Sequence, residues 1–152
     1  MKTGAKEVKP FEILLVEDNP ADASLMRRTL ESSRWPIRLK VAPDGEEALA
    51  YLRRAETLSK TPYPDFILLD LGLPKKSGWE VLSSIKEDSG LRKIPVLILT
   101  GSRNGHDLLK ARFSFADDYL LKPLDFSHLG ALVNYLEETW LKKNRSDIPP
   151  AR

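Results

Sequence analysis

Five polar residues of this 152-residue chain stand where short apolar runs end. Phe11 to Val16 runs into Glu17-Asp18, Phe66 to Leu69 into Asp70, Pro95 to Leu99 into Thr100, and Tyr119 to Leu121 into Lys122. Gathered in one cleft, three carboxylates, a hydroxyl and an ammonium could hold a divalent cation and receive a phosphoryl group. Three carboxylates about 5 Å apart repel by roughly 3 kcal/mol per pair at a surface-like dielectric. Lys122 offsets part of that as a compact point charge. A divalent cation offsets the rest, and an all-oxygen shell with room for water suits Mg²⁺. A free oxygen of Asp70 beside such a metal is a place for phosphoryl transfer, with Lys122 neutralising equatorial oxygens and Thr100 hydrogen-bonding one of them. Each residue alone has a plainer role: Asp70 as a turn residue, Glu17-Asp18 as partners of a helix dipole, Lys122 as a solvated lysine, Thr100 as a strand-end β-branched residue. Their joint occurrence is what points to chemistry.

The elements that must position these residues read as five strand–helix pairs. After Glu17-Asp18, Asn19 is a natural N-cap and Pro20 suits the first helical position, with Leu25, Met26 and Leu30 recurring at helical spacing. A second strand, Ile37 to Ala42, leads through Pro43-Asp44-Gly45 into a helix containing Ala48, Leu49 and Leu52. Strand three, Phe66 to Leu69, is followed by the loop Gly72 to Gly78 and a helix with Val81, Leu82 and Ile85 inward. A shorter helix is expected over 106–113. A long last helix is expected from its cap Asp125, with Leu129, Leu132, Val133, Leu136 and Trp140 on one face. Apolar strands alternating with amphipathic helices imply an α/β fold, a parallel sheet with helices on both faces. Right-handed crossovers favour the flavodoxin-like doubly wound order 2-1-3-4-5. In that order strands one and three are neighbours where the strand order switches, so Glu17, Asp18 and Asp70 share a cleft.

Composition excludes several classes. Apolar residues make up 41% of the chain and charged residues 30%, with a net charge of +2, so a core is affordable and no concentrated basic stripe marks a nucleic-acid binder. There is no cysteine, which removes disulfides and thiolate chemistry. The lysine-rich start at Met1 to Pro10 lacks the apolar stretch of a signal peptide, and no run is long enough to span a bilayer. The expectation is a cytoplasmic protein with no membrane and no nucleic-acid partner. His106 and His128 lack neighbours at ligand spacing, and Asp117-Asp118 reads as a turn or interface feature.

These residues resemble the response-regulator receiver domains of two-component systems, over about Phe11 to Trp140. The resemblance lies in Ile13-Leu-Leu-Val-Glu17-Asp18-Asn-Pro20, in Asp70-Leu-Gly-Leu-Pro74 with Gly78, in Leu99-Thr100-Gly-Ser102, and in Asp117-Asp-Tyr119-Leu-Leu-Lys122-Pro123. It implies that Asp70 is the phosphoacceptor and that Glu17, Asp18, Asp70 and the Gly72 carbonyl place Mg²⁺. It also implies that Thr100 and Tyr119 form a switch pair and that the Lys122-Pro123 bond is cis. More narrowly, Asn19-Pro-Ala-Asp22, Ile85-Lys-Glu-Asp88, Leu91-Arg-Lys-Ile-Pro95 and Trp140-Leu141 resemble stand-alone regulators that serve phytochrome-type histidine kinases. The implied organisation is a flexible tail over 1–10, one receiver domain over 11–143 with no output domain, and a tail over 144–152. Two positions depart from the family pattern: Phe115 replaces a common glycine, and Lys75-Lys76 replaces a glycine or acidic residue. Phe113, Phe115, Asp117-Asp118 and the last helix form an expected homodimer face.

Three other functions compete. An aspartate-nucleophile phosphohydrolase wants a second acid two residues after the nucleophile, where this chain has Gly72. A flavin-binding domain wants a hydroxyl- and glycine-rich phosphate loop where Glu17-Asp18 stands. A receiver-like adaptor that is never phosphorylated usually loses some of these site residues, and none is lost here.

Overall fold

A computed structural model describes residues 10–33, 36–58, 60–73, 75–100, 118–121 and residue 138. The elements in chain order are β1 (Phe11–Val16), α1 (Pro20–Leu30), β2 (Ile37–Ala42), α2 (Gly45–Thr57), β3 (Phe66–Asp70), α3 (Gly78–Glu87), β4 (Val96–Thr100) and β5 (Asp118–Leu121). The helix expected over 106–113, the last helix apart from Glu138, the tails apart from Pro10, the Lys122-Pro123 bond, and Phe113, Phe115 and Asp117 lie outside the described residues.

Five parallel strands form one sheet in the order β2-β1-β3-β4-β5, as expected from the sequence. Side chains alternate across a strand, so neighbouring residues of β1 enter different cores. Ile13 and Leu15 join Met26, Leu30, Phe66, Leu68, Leu97 and Leu99 on the α1 side. Leu14 and Val16 join Leu49, Leu52, Ile67, Leu69, Val81, Leu82 and Ile85 on the side of α2 and α3. Every residue of β3 is buried, which is why its sequence shows no polar alternation. Burying a large aliphatic side chain contributes about 1.5–3 kcal/mol before entropy is counted, so this double-sided core holds β1, β3 and β4 in place.

Helix starts are set by their caps. The Asn19 side chain accepts from the backbone N–H groups of Ala21 (2.9 Å) and Asp22 (3.1 Å), and Pro20 occupies the first helical position, as its sequence predicts. Asp44 caps α2 by accepting from Glu47 N–H at 2.8 Å. Ser77 and Glu80 form a reciprocal capping box that opens α3.

Candidate metal centre

The sheet register determines which polar residues meet. Val16, the last residue of β1, pairs with Ala42 of β2 and Leu69 of β3. Glu17 therefore leaves the sheet beside Asp70, its own N–H still donating to the Ala42 carbonyl at 3.0 Å. Carboxylate oxygens of Glu17, Asp18 and Asp70 all lie within 4.8 Å of one another. Glu17 is 2% exposed and Asp70 6%, whereas Asp18 faces solvent. Two of the three acids are thus fixed in the floor, and the third closes the rim.

Backbone donors orient the buried pair. Glu17 Oε2 accepts from Asn19 N–H at 3.2 Å, and Asp70 Oδ1 accepts from Gly72 N–H at 3.1 Å. Like charges at this spacing still repel by about 3 kcal/mol per pair at an effective dielectric of 20. A divalent cation resolves that repulsion. The cluster offers only hard carboxylate oxygens, with no nitrogen or sulfur donor in it, which suits Mg²⁺ or Mn²⁺ and disfavours zinc or copper. A cleft of about 310 Å³ opens onto Glu17 and Asp18, walled by Pro20 and Pro43 and edged by Ser24 and Arg27 of α1. It gives solvent a route to Glu17 and Asp18.

The remaining expected site residues are placed by backbone. Asp70 pairs with Leu99, which puts Thr100 one residue further toward the carboxyl edge of the sheet. Thr100 pairs with Leu121 and Ile98 with Tyr119. Lys122 directly follows the strand residue opposite Thr100 and lies outside the described residues, as do the side chains of Thr100 and Tyr119.

The 71–77 loop carries Gly72 and is closed at its base, where Gly78 N–H donates to the Leu71 carbonyl at 3.2 Å. Two residues here go beyond the expected set. Asp44, read in sequence as part of a turn, places its carboxylate 3.5 Å from the ammonium of Lys75, which is also 3.9 Å from Glu46. The Glu47 N–H, together with Lys75, holds the Asp44 carboxyl below the usual aspartate range. An Asp directly before a Gly-Glu-Glu helix start is the sequence signal for that cap; its pairing with a lysine about thirty residues away has none.

The sequence pattern of the response regulator receiver domain matches residues 13–134. Among relatives, the probable methanogenesis regulatory protein FilR2 of Methanothrix harundinacea is 46% identical over 140 residues, covering 92% of this chain and 90% of that one. Response regulator Rcp1 of Synechocystis is 39% identical, over 88% of this chain and 90% of its own. The crystal structure of its Mn²⁺-bound form superposes with a TM-score of 0.76 at 38% identity, covering 93% of this chain and 100% of that one. The phosphorylated cyanobacterial phytochrome response regulator RcpA gives a TM-score of 0.79 at 39% identity, covering 94% and 100%.

Proposed function

Because the chain belongs to the response regulator receiver domain family, we propose that it accepts a phosphoryl group on Asp70 from a histidine kinase and signals through a change of its own surface. The carrying observation is the convergence of Glu17, Asp18 and Asp70 within 4.8 Å at the carboxyl ends of β1 and β3, where the strand order reverses. Glu17, Asp18, Asp70 and the Gly72 carbonyl would hold Mg²⁺, which when bound neutralises phosphoryl oxygens. An Asp70 carboxylate oxygen attacks phosphorus. A P–O bond forms, the P–N bond to the donor histidine breaks, and the departing imidazole takes up a proton. Glu17 and Asp70 are held in the floor by backbone donors, so their oxygens are oriented before the donor arrives. Lys122 serves as counter-charge to the phosphoryl oxygens, Thr100 donates to one of them, and Tyr119 responds to Thr100.

In this reading the chain is a signalling protein that assists its own phosphorylation and dephosphorylation. No helix among the described residues is long and apolar enough to cross a membrane, and we read the protein as cytoplasmic. The likeness to Rcp1 and RcpA supports a phytochrome-type kinase as donor. The higher identity to FilR2 supports a second reading, a sensor kinase of another class. Phosphotransfer from kinases of both classes under equal conditions separates the two.

The test of the acceptor itself is intact-mass measurement after incubation with acetyl phosphate and Mg²⁺. Wild type is expected to gain one phosphoryl group and Asp70→Asn none. Labelling of Asp70→Asn at the wild-type level would refute the assignment.

A further inference from the structure

We propose that Lys75 and Asp44 form a clasp that sets the position of the 71–77 loop and, with it, of Gly72 at the cation site. The inference rests on the reading of Glu17, Asp18 and Asp70 as that site.

Among the described residues Lys75 is the one non-glycine residue with positive φ, at 66°. A bulky L-residue occupies the left-handed region only where its surroundings hold it there. Those surroundings belong to α2. The ammonium of Lys75 reaches Asp44 at 3.5 Å and Glu46 at 3.9 Å, and Asp44 is itself anchored by Glu47 N–H. The next loop residue lies close against the start of α2. A Cβ added at Gly45 would come within 2.9 Å of the Lys76 carbonyl and 2.6 Å of Val81 Cγ2, so only glycine lets the start of α2 lie this close.

The loop is therefore held at its base by the Gly78–Leu71 hydrogen bond and at its tip by the ion pairs of Lys75 with Asp44 and Glu46. Gly72 lies between those anchors, tied to Asp70 by its N–H. The Lys75 side chain is 59% exposed, and exposed ion pairs add little to global stability. What such a pair can set is where the loop rests.

Simple electrostatics and the clasp predict opposite results for one substitution. Deleting an ammonium near an acidic site should tighten cation binding through the field alone; breaking a positioning clasp should weaken it. The experiment is Mn²⁺ and Mg²⁺ titration of the full chain as wild type, Lys75→Met, Asp44→Asn and the double variant, with thermal melts in chelator. Asn caps a helix about as well as Asp, so Asp44→Asn removes the charge and keeps α2.

Both single variants are expected to bind cation roughly tenfold more weakly, the scale carried by residues that orient metal ligands. The double variant should be no worse than either single, because the two act through one link. Melting temperatures without metal should stay at the wild-type value for Lys75→Met, whereas Asp44→Asn also gives up the neutral-pH stability carried by its depressed titration. Lys75→Gly, which tolerates the backbone angle but lacks the ammonium, should behave as Lys75→Met does. Wild-type or tighter affinity in Lys75→Met or Lys75→Gly overturns the clasp. Failure of wild type to bind either cation would instead overturn the reading of the site on which the clasp depends.

Discussion

The backbone carbonyl of Asp70 occupies the space that a side chain at Gly78 would need: a Cβ there would stand 2.6 Å from that oxygen and 2.6 Å from Leu71 Cα. Both obstacles are backbone, one at the end of the fully buried strand β3 and one at the residue that follows it. Gly78→Ala should therefore push the start of α3 away from the end of β3, costing about 1–3 kcal/mol as overpacking does. Urea unfolding checks this, and a variant as stable as wild type would show that the two elements can separate freely.

Asp18 is the exposed member of the acidic cluster, so its removal relieves repulsion without opening the core. Asp18→Ala should weaken Mg²⁺ binding and labelling while raising metal-free stability by up to about 1 kcal/mol, a figure discounted for solvent screening. The gain should shrink in high salt. A lower metal-free melting temperature would refute the electrostatic account of the cleft.

Asp44 and Glu80 both titrate below their ordinary values, Asp44 because Glu47 N–H donates to it and Glu80 because Ser77 N–H does. A depressed folded-state value means stability present above the unfolded value and lost as pH falls through the folded one. Stability should thus decline below about pH 4. Asp44→Asn should flatten that acid limb, measured by urea midpoints between neutral and acidic pH; an unchanged limb would remove Asp44 from the account.

If Thr100 and Tyr119 act as a switch pair, Thr100→Ala should still be labelled on Asp70. Its chemical shifts around Tyr119 should no longer respond to phosphorylation. A wild-type response in that variant would break the proposed coupling.

Output through self-association would use the face expected around Phe113, Phe115 and the last helix. Sedimentation of wild type and Phe115→Gly, with and without acetyl phosphate, is expected to show a dimer strengthened by phosphorylation in wild type and weakened in the variant. A wild type that stays monomeric in both states at tens of micromolar, the scale of weak contacts, ends the dimer proposal.

Much of this arrangement is legible in the chain because local and global signals agree. Asn19-Pro20 starts a helix by cap chemistry that needs no tertiary partner, and β3 reads as a strand because both of its faces are buried. Strand ends then locate Glu17, Asp18 and Asp70 once the strand order is set by the chirality of crossovers. The Ser77–Glu80 box is also spelled locally, although a reading of 72–78 as plain loop passes over it. The Asp44–Lys75 contact is different in kind. Lysine does not favour positive φ, and the pair joins residues on separate crossovers, so neither propensity nor spacing announces it. It exists only because α2 and α3 pack on the same face of the sheet.

The outer position of β2 has a consequence for the protein in a crowded solution. As the last strand of the sheet it presents a row of backbone groups that another chain could extend. Its sequence alternates half-buried Ile37, Leu39 and Val41 with exposed Arg38 and Lys40. An incoming strand would have to bring its own side chains against Lys40 and the Arg38–Glu12 ion pair, and a second copy would bring the same Lys40. The alternation that seats β2 on the core thereby also guards the sheet against runaway strand addition and aggregation.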